Sequence, residues 1–373
     1  MSGISDTEVI EYESLAQSNA QFMIDLEAAA TRVIRSGWYV LGREASEFEN
    51  EFAEWVGARH CIGVGNGLDA LILSLEALDL PEGSEVLVAS NTYIATILAI
   101  VRAGYKPILV EPEIETYNID PNCLKSALSK KTRAVLVTHL FGKSCRMDDI
   151  SKFAAENGLK LLEDCAQSHG AKYKGKITGT FGDTGCFSFY PTKNLGAFGD
   201  AGAVVTNNDA LADRLRHTRN YGSRQKYINH YIGINSRLDE IQAAMLRVKL
   251  RYIDQMNNHK RALAEIYFEH LPDWLTLPRR SEDEYDVFHI FGVRHQYRDE
   301  LRAWLLKQGI KTEIHYPIPP HRQQGFKEIL FGEYPVADIL HTSELSLPIS
   351  FGHTEKNIKE ICSIINSYPE LNR

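Results

Sequence analysis

Short apolar segments alternate with amphipathic ones from residue 60 to about residue 205, and this alternation limits the fold more than any other feature. "HCIGVG", "EVLVAS", "KPILVE", "RAVLVTHLFG", "LKLLEDCAQ", "CFSFYP" and "GAVVTNN" have the length and composition of strands. Helical patterns such as "GLDALILSLEAL" and "MDDISKFAAENG" separate most of them. Strands that are apolar on both faces and alternate with helices predict an α/β fold with a mostly parallel central sheet.

The pattern changes after residue 208. A polar, tyrosine-rich loop, "YGSRQKYINHYIGIN", precedes a long helical run with Ser236 as a plausible N-cap and Glu240 near its first turn. Beyond this run, one strand-like and two helical segments predict a smaller α+β domain. We therefore divide the 373-residue chain into a large domain with an N-terminal segment, residues 1–255, and a small C-terminal domain, residues 256–373, with the long helix bridging them.

Charge and cysteine usage exclude several classes of protein. The formal net charge is −8 with acidic and basic residues interspersed, so we expect no nucleic-acid partner. No apolar run is long enough to span a bilayer, and the N-terminus lacks the basic and apolar regions of a signal peptide. The six cysteines form no CxxC pair, which argues against zinc and disulfides. We predict a cytoplasmic protein without a metal or a membrane partner.

A glycine-rich turn, "GVGNGLDAL" at residues 63–71, leads directly from a strand into a helix. Free N–H groups and the positive end of the helix dipole would meet there, which favours a phosphate ligand. The spacing is neither GxGxxG nor GK[ST], so it indicates neither a dinucleotide site nor a P-loop. Taken alone, the turn is more typical of an ordinary tight strand-to-helix connection than of a phosphate site.

Two carboxylates, Glu163 and Asp164, follow the apolar strand "LKLLEDCAQ", at the end where open α/β sheets bind ligands. Either could merely cap the next helix. Alternatively, Asp164 faces the cleft and holds a ligand cation such as a protonated ring nitrogen, with Gln167 supplying a donor and an acceptor nearby. His169 is compatible with either a functional or a structural role.

Lys193 lies in "CFSFYPTKNLGAFGDAG", between an apolar strand and a glycine-rich turn. Most lysines are simply solvated. A lysine that loses its water in such a site has a lowered pKa and can form an imine with a carbonyl. A phosphate-binding turn, a carboxylate for a ring nitrogen and an amine for an aldehyde together favour pyridoxal 5′-phosphate (PLP) as the cofactor.

Five motifs occur in one order along the chain: "EDCAQSHGA", "GCFSFYPTKNLGAFGDAGAVVTN", "RLRHTRNYG", "GINSRLDEIQAAML" and "HYPIPPH". In these the chain resembles the PLP-dependent nucleotide-sugar aminotransferases of the DegT/DnrJ/EryC1/StrS family, from about residue 30 to the end. The resemblance implies a fold-type I, aspartate aminotransferase-like architecture and a homodimer with shared active sites. It also implies L-glutamate as the amino donor and a sugar ketone as the acceptor.

The resemblance also assigns roles to individual residues. Lys193 corresponds to the imine-forming lysine, and Asp164 to the partner of the pyridinium nitrogen. Gln167 is expected to contact the ring hydroxyl, and Ala166 and Tyr93 the two faces of the ring. The phosphate is expected to contact Gly67, Leu68 and Ser188, together with Asn235 of the neighbouring subunit. The residues expected to contact the sugar nucleotide are Tyr190, Tyr221, Tyr316 and His321.

The expected reaction is amination of C-3 of a dTDP-3-oxo-6-deoxyhexose for a surface polysaccharide or a glycosylated natural product. The resemblance supports transamination because relatives with histidine in place of Lys193 are dehydratases. Tyr190 favours C-3, since many relatives that aminate C-4 carry histidine there; a core tyrosine supporting the lysine loop is the alternative. C-4 amination of a dTDP- or UDP-4-oxo sugar, a different PLP lyase or isomerase, and a non-catalytic PLP- or sugar-binding regulator remain open.

Overall fold

The computed structural model describes residues 9–369. The outer ends of the two predicted domains, residues 1–8 and 370–373, lie outside the described residues. In chain order the strands are β1 His60–Val64, β2 Glu85–Ala89, β3 Lys106–Val110, β4 Thr132–Thr138, β5 Lys160–Asp164, β6 Lys172–Tyr173, β7 Lys176–Ile177, β8 Thr184–Ser188, β9 Gly202–Thr206, β10 Ser223–Gln225, β11 Ile228–Asn229, β12 Glu284–Tyr285, β13 Phe291–Arg294 and β14 Glu344–Leu347.

Helices occupy much of the remaining chain. They are α1 Leu15–Asn19, α2 Met23–Ser36, α3 Arg43–Val56, α4 Gly67–Ala77, α5 Ile94–Arg102, α6 Pro121–Ala127, α7 Met147–Glu156, α8 Asp209–Thr218, α9 Glu240–Leu250, α10 Ile253–His270, α11 Arg298–Lys307, α12 Pro335–Ser343 and α13 Glu355–Asn366. Within the described residues, none of these helices is long and apolar enough to cross a lipid bilayer.

Seven strands form the central sheet in the order β1-β9-β8-β5-β4-β2-β3. The four strand pairs from β8 to β3 are parallel, whereas β9 is antiparallel to both of its neighbours, β8 and β1. The predicted mostly parallel α/β sheet is therefore confirmed. Successive strand residues face opposite sides, so each strand contributes to two apolar layers.

Helices cover both faces of this sheet. On one face α4, α5 and α8 pack against residues such as Leu136 and Val204. On the other face α2, α3 and α9 pack against Phe187 and Val205, and α6 and α7 pack beside them against β2, β4 and β5. Burial on both faces explains why the strands read as nearly continuous apolar runs in the sequence.

A second, smaller core is formed by α10, α11 and α13 with the antiparallel pair β13–β14. Ile10 joins this core, and its main chain hydrogen-bonds to Gly309 and Lys311. The N-terminal segment therefore packs against the C-terminal part of the chain, although the sequence division assigns it to the large domain. The division at residue 255 itself stays a prediction.

The long helical run predicted from Ser236 is two helices, α9 and α10. Asp239 is the N-cap of α9, so the assignment of this role to Ser236 is wrong. Ser236 instead accepts a hydrogen bond from the N–H of Gly65 and donates one to Asp69. The helices part at Tyr252, which has φ −115° and ψ 4° and packs its ring 4.9 Å from that of Phe22.

Candidate active site

A cavity of about 530 Å³ opens at the carboxyl edge of the central sheet. This is the edge where open α/β sheets bind ligands. Ten of the thirteen predicted site residues line it: Gly67, Leu68, Tyr93, Asp164, Ala166, Gln167, Ser188, Tyr190, Lys193 and Tyr316. The fold thus brings together residues from five separate parts of the sequence.

Lys193 projects into this cavity from the loop between β8 and β9. The loop is fixed by main-chain hydrogen bonds from Lys193 N–H to the carbonyl of Tyr190 and from Ala197 N–H to Phe189, both 2.8 Å long. Burial lowers the pKa of Lys193 to about 8, against the opposing effect of Asp164. At pH 7 about one tenth of such amines are neutral, compared with about one in a few thousand for an ordinary lysine. Lys193 is therefore suited to act as a nucleophile.

Asp164 ends β5 and is only 4% exposed. Thr96 donates a 2.7 Å hydrogen bond to Oδ2, and the N–H of Ala166 donates to Oδ1 at 3.1 Å. Burial raises the pKa of this carboxyl group, while the two donors and the charge of Lys193 act in the opposite direction. Both donors stabilise the ionised form, so they leave a carboxylate ready for a cationic ligand group.

The turn from β1 into α4 forms the opposite wall of the cavity. Asn66 caps the helix by accepting a hydrogen bond from the N–H of Asp69. Gly67 and Leu68 line the cavity and belong to the first turn of α4, whose N–H groups have no intrahelical acceptor. A Cβ atom on Gly67 would lie 2.5 Å from Cβ of Ser188. Only glycine allows β8 and this turn to approach closely enough to surround an anion together.

Aromatic residues form the outer wall. The rings of Tyr93 and Tyr316 lie 5.0 Å apart. The side-chain amide of Gln167 donates to the hydroxyl of Tyr316 at 2.8 Å and accepts from the N–H of Phe141 at 2.7 Å. Tyr190 is 52% exposed at the cavity, so it is not a core tyrosine.

Three predicted site residues lie away from this cavity. Asn235 and Tyr221 are exposed, on either side of the β10–β11 hairpin. His321 is hydrogen-bonded to Asp338 at 3.1 Å and packs beside the ring of Tyr334. His169 also lies outside, where it contacts Phe187 and Phe189. Within the single described chain, the predicted ligand contacts of Asn235, Tyr221 and His321 have no counterpart, and they stay predictions.

The structure adds residues that sequence reasoning missed. His289 precedes β13, and its Nε2 lies 3.3 Å from Nζ of Lys193. Burial, reinforced by Lys193, lowers the pKa of His289 well below its usual range, so its ring is neutral. His315, Thr138, Asn66 and Asp200 also line the cavity. The "HYPIPPH" motif contains His315, whereas no local pattern marks His289.

His139, Glu163 and Cys165 are the one group of potential metal ligands found within residues 9–369. Glu163 already accepts hydrogen bonds from the N–H groups of Gly179, Phe181 and Gly182, in addition to its contact with His139. These contacts occupy both carboxylate oxygens. The group therefore has the bonding of a structural element that joins β5 to the segment before β8.

The arrangement of these side chains fits PLP. The first turn of α4 and Ser188 offer donors to a phosphate, Lys193 offers an amine with a lowered pKa to an aldehyde, and Asp164 offers a carboxylate to a protonated ring nitrogen. All three groups belong to one cavity, as the cofactor requires.

Comparisons with known proteins agree with this geometry. The chain is similar to the dTDP-3-amino-3,6-dideoxy-alpha-D-galactopyranose transaminase of Aneurinibacillus thermoaerophilus. The two sequences are 46% identical over 361 residues, which cover 96% of this chain and 99% of the relative. It is 43% identical over 353 residues, 94% of this chain and 93% of the relative, to the dTDP-3-amino-3,4,6-trideoxy-alpha-D-glucose transaminase of Streptomyces venezuelae.

A solved structure extends the similarity to three dimensions. The S. venezuelae DesV structure in complex with a ketimine intermediate has a TM-score of 0.95 and 41% identity, covering 98% of this chain and 99% of DesV. The predicted fold type and the PLP-dependent activity are thereby confirmed. A family model matches residues 23–366, and the chain belongs to the DegT/DnrJ/EryC1/StrS aminotransferase family.

Proposed function

We propose that the protein transfers the amino group of L-glutamate to C-3 of a dTDP-3-oxo-6-deoxyhexose. The products are a dTDP-3-amino-3,6-dideoxyhexose and 2-oxoglutarate. The observation that carries the proposal is the position of Lys193, whose amine faces the same cavity as Asp164 and the phosphate-binding turn. Relatives whose names identify them as transaminases for 3-amino sugars support the choice of sugar.

Each cavity residue has a defined task in this reaction. PLP, when bound, supplies an aldehyde carbon and a ring that accepts electrons from the substrate's α-carbon. Lys193 would hold the aldehyde and would then take up and return the substrate's α-proton as general base and general acid. Asp164 would keep the ring nitrogen protonated. Tyr93 and Ala166 would contact the two faces of the ring.

The position of Tyr190 supports amination of C-3. Ser188 and Tyr190 are two residues apart, and both line the cavity. The Tyr190 side chain is half exposed at the cavity, where it would limit how a hexose can lie over the cofactor and could hydrogen-bond a sugar hydroxyl. We infer that this pose presents C-3 of the hexose rather than C-4.

Competition between two acceptors tests the proposed function. With L-glutamate as donor, we expect a higher kcat/KM for dTDP-3-oxo-6-deoxyhexoses than for the 4-oxo isomers, measured as 2-oxoglutarate release and as amino-sugar formation. Omission of the keto sugar is the control, and sustained 2-oxoglutarate formation must then cease. A clear preference for the 4-oxo compound would reject C-3 amination, and the absence of turnover with every acceptor would favour a binding protein.

We also propose that the active enzyme is a homodimer in the cytoplasm, where its six free cysteines would stay reduced. Asn235 is exposed in the single chain, as a residue that contacts a neighbour's phosphate must be. Large apolar side chains are exposed in the segment that precedes it, including Tyr227 at 87% and Ile232 at 100%. A partner subunit would cover them.

Asn235→Asp tests this assembly. A carboxylate against the phosphate of the neighbouring site is repulsive, so the dimer is expected to lose PLP on dialysis while its circular dichroism is unchanged. Asn157→Asp, at an exposed position after α7, is the matched control and should retain the cofactor. A dialysed Asn235→Asp protein that keeps its full visible absorption would place Asn235 away from the phosphate.

A further inference from the structure

Behind the loop that carries Lys193 lies a second, small cavity of about 30 Å³. Lys193 and Asn194 of this loop line it, and Lys193 lines the main cavity as well. Three charged side chains from distant parts of the sequence meet there: Glu13, Lys249 and Lys260. We call these three residues the Glu13 cluster.

The two lysines of the cluster hold the loop directly. Lys249, on α9 and 5% exposed, donates a 2.7 Å hydrogen bond to the carbonyl of Gly196. Lys260, on α10 and 6% exposed, donates to Oδ1 of Asn194 at 3.3 Å and to the carbonyl of His289 at 3.2 Å. Lys260 thus joins the lysine loop to the segment that places His289 beside Lys193.

Two buried ammonium groups need a compensating anion, because an isolated charge is costly to remove from water. Burial lowers the pKa of both Lys249 and Lys260 to about 8. For both lysines, Glu13 is the carboxylate that opposes this effect, and its charge also acts on Lys193. Glu13 belongs to the N-terminal segment, between Ile10 of the small core and helix α1.

We propose that Glu13 is the shared counter-ion of Lys249 and Lys260, and that the Glu13 cluster fixes the loop that presents Lys193 to the cofactor. Glu13 is in this sense a positioning residue, since it acts on the reaction through Lys193. The proposed role of Glu13 concerns the loop that carries Lys193 and does not depend on which sugar is the acceptor. This proposal and the proposed function can therefore fail independently.

The charge of Glu13 has a predictable effect on the Lys193 nitrogen. The titratable groups that face this nitrogen are Asp164 on β5, the histidines His169, His289 and His315, Lys260 on α10, and Glu13. A negative charge stabilises the protonated form of the nitrogen, in the free amine and in its linkage to PLP alike. Loss of the Glu13 charge should therefore lower the pKa of this nitrogen.

A pH titration of the cofactor's visible absorption in purified holoenzyme measures this pKa without turnover. E13Q is expected to lower it by about one unit, the size expected for one charge at intermediate distance in a partly buried site. E13D keeps the charge and should titrate closer to the wild-type protein. E11Q is the matched control, because Glu11 is exposed and paired with Lys311. Coincident titrations of E13Q and E11Q would overturn the proposal.

A double-mutant cycle tests the pairing separately. E13Q leaves Lys249 and Lys260 without their counter-ion, and K260M leaves Glu13 with Lys249 alone, so each should lower the Tm of the holoenzyme. The double variant removes both partners and should lose less than the sum of the two single losses. K260M should also raise the pKa of the Lys193 nitrogen, opposite in sign to E13Q. Additive losses of Tm would show that Glu13 and Lys260 do not form a pair, and would reject the counter-ion.

Discussion

Replacing Lys193 with alanine is expected to lower kcat by on the order of 10⁴-fold, the upper range for loss of a general acid–base group. The substitution removes the amine whose lowered pKa makes it reactive at neutral pH, and no other lysine lines the main cavity among the described residues. His289 cannot take over the linkage because an imidazole does not form an imine with an aldehyde. Added amino sugar is expected to condense with the free aldehyde of the cofactor and to remain trapped as an imine, because the base that would carry the reaction further is missing.

The measurement combines steady-state kinetics with borohydride reduction of the holoenzyme. In the wild-type protein the reduced cofactor should be recovered on the peptide that contains Lys193, and in Lys193→Ala no peptide should carry it. Lys131→Ala is the control, since Lys131 is exposed on the turn before β4. Recovery of the label on a different lysine would invalidate the assignment of the cofactor site.

Asp164→Asn should have the second-largest effect, a decrease in kcat of about 10²–10³-fold, comparable to the removal of one preorganised electrostatic group. The amide keeps the size of the carboxylate but not its charge. The cofactor's ring nitrogen would then lose its proton, and the ring would accept electrons poorly. The dependence of kcat on pH in the variant should also lack any change that arises from titration of the Asp164 carboxyl group.

Thr96→Val separates the charge of Asp164 from its hydrogen bonding. It removes the 2.7 Å hydrogen bond to Oδ2 and leaves the carboxylate in place. We expect kcat to decrease about 10-fold, in line with the loss of one hydrogen bond to a charged group. If Asp164→Asn retained activity at the level of Thr96→Val, the negative charge would not be needed and the proposed role of Asp164 would be wrong.

The parts of the fold and site that sequence could predict are those with local patterns. The strands were recognisable because burial on both faces makes them apolar throughout, and Asp164 and Ser188 could be placed at strand ends for the same reason. Gly67 could be identified from the turn that precedes a helix. In each case a pattern within a few neighbouring residues predicts the element or the site residue, and the family motifs agree with that prediction.

Other features depend on contacts between distant segments and leave no local pattern. The sequence around Tyr252 favours one continuous helix. In the structure α9 and α10 are separate helices that part at Tyr252, whose ring packs against that of Phe22. Glu13 and Lys260 look like ordinary charged residues until α10 and the N-terminal segment pack behind the lysine loop. His289 lies 96 residues after Lys193 in the sequence and contacts it only in the folded chain. Only the assembled tertiary structure defines these pairs.

Strand β9, the one strand of the central sheet that runs antiparallel to both of its neighbours, affects how insertions and deletions would be tolerated. A parallel strand after β8 would need a crossover of about a dozen or more residues ending at the far edge of the sheet. Because β9 returns antiparallel, with Gly202 paired to Ser188, the loop with Lys193 starts and finishes at the ligand edge. Both ends of this loop are fixed by the pairing of β8 with β9. An insertion or deletion in the loop would therefore displace the amine of Lys193 itself. Length variation should therefore be confined to surface turns such as the β10–β11 hairpin.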